Sequence, residues 1–127
     1  MAAAAKSRTS LFNALSLTAG AGNQNSSWIN LSTAIGARIS GKITNGATGP
    51  TVAAQVQLQT ANDWNSGSPT LPINEGGAWV GTPVNNDVIN FTYDLSIAVA
   101  AVRLVAGSNT GQAVTVDFDI SVVTGIA

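Results

Sequence analysis

The stretch Val114-Thr115-Val116-Asp117-Phe118-Asp119-Ile120-Ser121-Val122 alternates apolar and polar residues without a break. Successive side chains of a strand point to opposite faces. Val114, Val116, Phe118, Ile120 and Val122 therefore share a dry face, and Thr115, Asp117, Asp119 and Ser121 share a wet one. A strand with one dry face requires a second layer to cover it. The same period of two recurs upstream. In residues 37–43, Ala37, Ile39, Gly41 and Ile43 alternate with Arg38, Ser40 and Lys42. Val52, Ala54, Val56 and Leu58 alternate with Gln55, Gln57 and Gln59, and Ile89, Phe91, Tyr93 and Leu95 with Asn90, Thr92 and Asp94.

The segments between these runs are rich in turn residues. Thr44-Asn45-Gly46-Ala47-Thr48-Gly49-Pro50 separates the second and third runs, which predicts a β-hairpin. The apolar run 98–106 is broken only by Arg103 and followed by Gly107-Ser108-Asn109-Thr110-Gly111, which predicts a strand entering a second hairpin. The two units echo one another as strand, Asn/Thr/Gly turn, strand. Residues 11–17 and 28–31 add short strands, and 78–80 a brief edge strand. Residues 61–77 read as a long loop carrying Trp64, Pro69 and Pro72. No amphipathic helix pattern occurs. The expected fold is all-β: a single β-sandwich of seven or eight short antiparallel strands over residues 11–127, of Ig-like or jelly-roll connectivity. Residues 1–10, Ala-rich with Lys6 and Arg8, have little to bury and are expected to form a flexible arm. Lys6, Arg8 and the apolar residues 11–17 also imitate a signal peptide. Asn13 and Ser16 interrupt that run, and a strand after a free tail fits better.

Composition narrows the function classes. The chain has 127 residues, 45% apolar, enough for one domain with a core. Only 9% are charged and the formal net charge is -1, where about a quarter charged is usual. The surface is therefore built from neutral polar side chains, which suits packing against neighbours. There is no cysteine and no histidine, so thiol chemistry, the commonest general base and the commonest metal ligand are missing. The only lysines are Lys6 and Lys42, and no polybasic run offers a footprint for nucleic acid. No apolar stretch is long enough for a membrane helix. Asp117 and Asp119 share a face, but calcium asks for about six oxygen ligands and the other carboxylates lie far off in sequence. An outer, solvated strand face accounts for them. The chain is expected to be no enzyme and to carry no cofactor or metal.

Parts of the chain resemble a known group. The segments Trp28-Ile29-Asn30-Leu31-Ser32, Ala37-Arg38-Ile39 and Ile43-Thr44-Asn45-Gly46-Ala47-Thr48-Gly49-Pro50, with Val102-Arg103-Leu104 through Val114, resemble small virion proteins of tailed bacteriophages, including head decoration (cement) proteins. The resemblance covers residues 27–60 and 100–123, and residues 61–87 have no counterpart. It implies a protein made in the cytoplasm of a bacterial host that ends on the virion surface. There it would bind the major capsid protein, bridge capsomers and stabilise the head, as a homotrimer, with no nucleic-acid or membrane partner. The candidate partner-binding residues are Lys6, Arg8, Leu11, Trp28, Arg38, Trp64, Trp79 and Arg103. On this reading the arm clamps a neighbour, and deleting residues 1–10 weakens binding while leaving the fold intact. Two other readings stand beside it. One is a carbohydrate-binding module that uses exposed Trp64 or Trp79 among Asn and Asp. The other is a neck, tail or baseplate component of the same virion.

Overall fold

A computed structural model describes residues 5–125. Ten strands follow in order: β1 (Ala5–Leu17), β2 (Gln24–Asn25), β3 (Ile29–Asn30), β4 (Ala34–Asn45), β5 (Gln55–Ala61), β6 (Ile73–Asn74), β7 (Trp79–Val80), β8 (Val88–Leu95), β9 (Ala101–Gly107) and β10 (Val114–Thr124). They form two antiparallel sheets stacked as a sandwich. The first has the order β1-β10-β4-β8. The second is centred on the β9–β5 pair, with β2 and β3 sharing the free edge of β9, and β6 and β7 sharing that of β5.

The alternating runs supply the core. Ile39, Ile43, Val116 and Ile120 of the first sheet meet Val56, Leu58, Val102 and Leu104 of the second, and all are buried. Alternation is preserved because a slip of one residue would turn each dry face to water. The packing of the first sheet requires a glycine at position 41. Gly41 lies in register between Phe91 and Phe118, and a Cβ there would drive into the Phe118 ring and the Asp117 carbonyl.

The connectivity departs from the sequence reading. Neither expected hairpin forms. The run in β4 pairs with β10 and β8, while the run in β5 crosses to the other sheet and pairs with β9. Likewise β9 and β10 lie in different sheets. The connection over residues 46–54 exceeds the roughly two to five residues of common hairpin loops. That length reaches across the sandwich, where each dry face can be laid against the other. The two crossing loops run side by side, with the Thr51 N–H donating to the Thr110 carbonyl at 2.7 Å and the Thr110 N–H to Val52 at 3.2 Å.

The N-terminal segment also differs from expectation. Residues 1–4 lie outside the described residues, but from Ala5 onward the expected arm is strand. Ala5–Ser10 pair with Thr124–Asp119 of β10. Backbone hydrogen bonds and an Arg8–Asp119 ion pair hold it there, not apolar burial, so hydrophobic patterning gives no sign of it. Bulges after Ser10 and Phe12 interrupt the pairing, and Leu11 and Phe12 in succession are buried. Ala14 takes φ 48°, and its N–H donates to Asp117 Oδ1 at 2.7 Å.

Candidate partner interface

The two outer faces have different chemistry. On the first sheet both arginines are paired with aspartates within the chain. Arg8 Nε donates to Asp119 Oδ2 at 2.7 Å, and Arg38 reaches both oxygens of Asp94 at 2.7 and 3.2 Å. The hydrogen bond from Arg38, with its charge, holds the Asp94 carboxyl below the usual range, and Asp94 in turn raises Arg38. Asp117 braces the β1 bulge and Asp119 pairs with Arg8, so the two aspartates sharing a face serve the strand ladder. Among the described residues, no cluster of three or more His, Cys, Asp or Glu is placed to hold a metal ion. Nor is any helix there long and apolar enough to cross a membrane.

The second sheet's outer face is built otherwise. Val102 and Leu104 point into the core, so Arg103 points out, directly across from Gln59 on β5. Beyond β9 the edge is split between β2 and β3. Ser26 spans the split: its N–H donates to the Leu104 carbonyl at 2.8 Å, and its hydroxyl accepts from the Leu104 N–H at 2.9 Å. A side-chain oxygen thus takes the place of a strand carbonyl, and Trp28 is left clear of the ladder to lie against Arg103. The guanidinium carbon sits 4.6 Å from the Trp28 ring centroid. Arg103 Nε donates to Gln59 Oε1 at 2.8 Å, and Gln59 Nε2 to Asn74 Oδ1 on β6 at 3.0 Å. Trp28, Arg103, Gln59 and Asn74 form one continuous row from one edge of the sheet to the other. Along β5, Gln57 and Gln55 continue from this row as the floor of a groove of about 250 Å3, whose lining carries no charged residue.

The remaining candidates lie apart. Trp79 pairs with Val56 on β5 and faces inward. Its ring stacks on Phe91 and Phe118 at 6.0 and 5.8 Å and lies 6.0 Å from Tyr93, capping the core where the sandwich opens. Trp64 is half-buried at the base of a small turn in the long connection between β5 and β6. There Asn65 and Ser68 exchange backbone hydrogen bonds around Ser66 and Gly67, both at positive φ. Thr70 closes the same segment on Asp63: its hydroxyl donates at 2.7 Å, and with its N–H lowers the Asp63 pKa. Leu11, a candidate contact from sequence, is in the core. Lys6 is exposed on β1 and Arg38 on β4. The eight candidates are therefore dispersed, and only Trp28 and Arg103 are brought together. Gln59 and Asn74, which lock Arg103, were not singled out from sequence. The alternation Gln55-Val56-Gln57-Leu58-Gln59 was the available signal.

No family model matches the sequence, and no curated protein matches it either. Solved structures do match the fold. The structure of infectious bursal disease virus Gx strain superposes with a TM-score of 0.59 at 8% identity, over 95% of this chain and 32% of that one. The VP2 subviral particle of infectious bursal disease virus gives 0.55 at 9% identity, over 95% and 32%. The T13 IBDV viral particle gives 0.51 at 9% identity, over 95% and 31%. The chain thus spans about a third of the length of the chains it matches. At such identities the likeness is one of fold, and it places this sandwich in the same architectural class as a part of those particle chains.

Proposed function

We propose that the chain is a structural protein of a virus particle, and that it decorates the outside of a bacteriophage head, binding the major capsid protein and bridging capsomers. It acts by binding and not by catalysis. The observation that carries this reading is the fold match with virus-particle chains over nearly the whole of this chain. The two unlike outer faces agree with it. One is charged with its ion pairs closed within the chain, suited to water. The other carries an uncharged, amide-rich groove beside a Trp–Arg pair, residue types enriched where interfaces concentrate their binding energy. A decoration protein stabilises by mass action, since a ligand of the assembled shell alone shifts the equilibrium toward that shell. Repetition over a lattice multiplies modest contacts.

The test is the copy number of the chain in purified particles of the virus that encodes it, by quantitative mass spectrometry. Hundreds of copies per particle support decoration. Copies in the tens support a neck, tail or baseplate location instead, and absence from particles refutes the virion reading. The native mass in solution follows, with a stable trimer expected.

A further inference from the structure

We infer that the outer face of the second sheet is a docking site for an extended, acid-bearing segment of a partner protein, anchored by Arg103. Three observations lead there. First, the ion pairs belong to Arg8 and Arg38, and among the described residues no carboxylate lies within 4.0 Å of Arg103. Its guanidinium is nonetheless fixed, by the Trp28 ring on one side and Gln59 on the other, with Gln59 itself held by Asn74. A half-buried cation held in one orientation without a counter-charge is prepared to receive one, and a carboxylate matches the guanidinium fork. Most of the ordering that association would cost is already done.

Second, the groove beside it presents amides at the pitch of a peptide. Gln55, Gln57 and Gln59 are two residues apart on one strand, so their side chains rise about 6.7 Å from one to the next. Backbone groups on one side of an extended peptide repeat at the same two-residue spacing. Third, amide groups remain available at Gln55 and Gln57, while Gln59 is taken up in holding Arg103. Gln57 uses its Nε2 on the Leu58 and Gly76 carbonyls at 2.9 and 3.3 Å, while its oxygen and the Gln55 amide make no hydrogen bond among the described residues. An extended segment laid along β5 finds unengaged amide groups at Gln55 and Gln57 and a cation where the row crosses to β9. This inference depends on the virion reading only for the partner's identity, a capsid segment. The site itself stands on the geometry.

The test uses the full chain, nitrogen-labelled, titrated with a synthetic octapeptide alternating aspartate and threonine. The side-chain amide signals of Gln55, Gln57 and Gln59 are followed by NMR. Those signals are expected to shift, and Arg103→Gln to weaken binding by about tenfold or more. Gln55→Ala, which removes no hydrogen bond among the described residues, is expected to weaken it by about threefold with thermal stability unchanged. Three results overturn the inference: no shift at millimolar peptide, shifts at Lys6, Arg8 and Lys42 instead, or equal shifts from a lysine–threonine octapeptide or from maltohexaose. Copy number in particles is measured independently. Abundant copies without peptide binding refute this site alone, and peptide binding without copies in particles refutes the virion reading alone.

Discussion

Gly41→Ala tests the packing of the first sheet at its most crowded point. Gly41 sits on β4 between Phe91 of β8 and Phe118 of β10, and the two rings stack with centroids 6.2 Å apart. A Cβ at Gly41 meets the Phe118 ring and the Asp117 backbone carbonyl, and a ladder carbonyl cannot move without breaking its pairing. Inserting a methyl into a filled core costs about 1–3 kcal/mol. The lost flexibility of the unfolded chain returns about 0.5–1 kcal/mol. With a rigid carbonyl in the way the upper half of the cost applies, for a net loss of about 2 kcal/mol. For a domain of this size that lowers Tm by about 6–10 °C. Gly36→Ala is the matched control: the same strand and substitution, but nothing within 4 Å of the new Cβ. It is expected to leave Tm unchanged or to raise it slightly. Calorimetry on the pair decides the matter, and a Gly41→Ala protein as stable as the parent, or a Gly36→Ala protein equally damaged, refutes the reasoning.

Asn45 is buried, and its Nδ2 donates to the Thr82 and Val84 carbonyls at 2.7 and 2.8 Å. Asn45→Ala leaves both carbonyls unmatched and is expected to cost about 2–3 kcal/mol in urea unfolding. Deleting residues 1–10 removes the Ala5–Ser10 ladder and the Arg8–Asp119 pair, so Tm is expected to fall by the equivalent of about 2 kcal/mol or more, where a free arm would leave it unchanged. The Asp94 carboxyl is held low by Arg38, so the pair's contribution is complete above the ordinary carboxylate pKa and is lost as pH falls through the lowered folded value. In Arg38→Gln the Asp94 carboxyl carbon is expected to titrate at higher pH by NMR, and the variant's stability to converge with the parent's in acid.

The all-β class and the composition of the core were legible because burial imposes a period of two on a strand. Residues 114–122, 37–43 and 88–95 each carry that period, and each is a strand of the first sheet. Pairing was not legible. A dry face states that something must cover it and leaves open whether the neighbour lies in the same sheet or the opposite one. The β1 extension escaped for a different reason. Ala5–Ser10 join the sheet through main-chain hydrogen bonds, which every residue but proline can make, so side-chain pattern carries no record of them.

The candidate interface divides along the same line. Arg103 and Trp28 stood out as residue types, one a charge in an apolar run and the other a large aromatic beside a loop. Their meeting, and the lock through Gln59 and Asn74, draws on residues 28, 59, 74 and 103, which only the stacking order β2/β3–β9–β5–β6 brings into a row. Periodicity and composition alone show which faces are dry, how little charge the surface holds, and that histidine and cysteine are absent. Long-range packing chose which sheet each strand entered and which arginine stands without a carboxylate among the described residues. Those outcomes depend on contacts between residues far apart in the chain, and local periodicity holds no information about them.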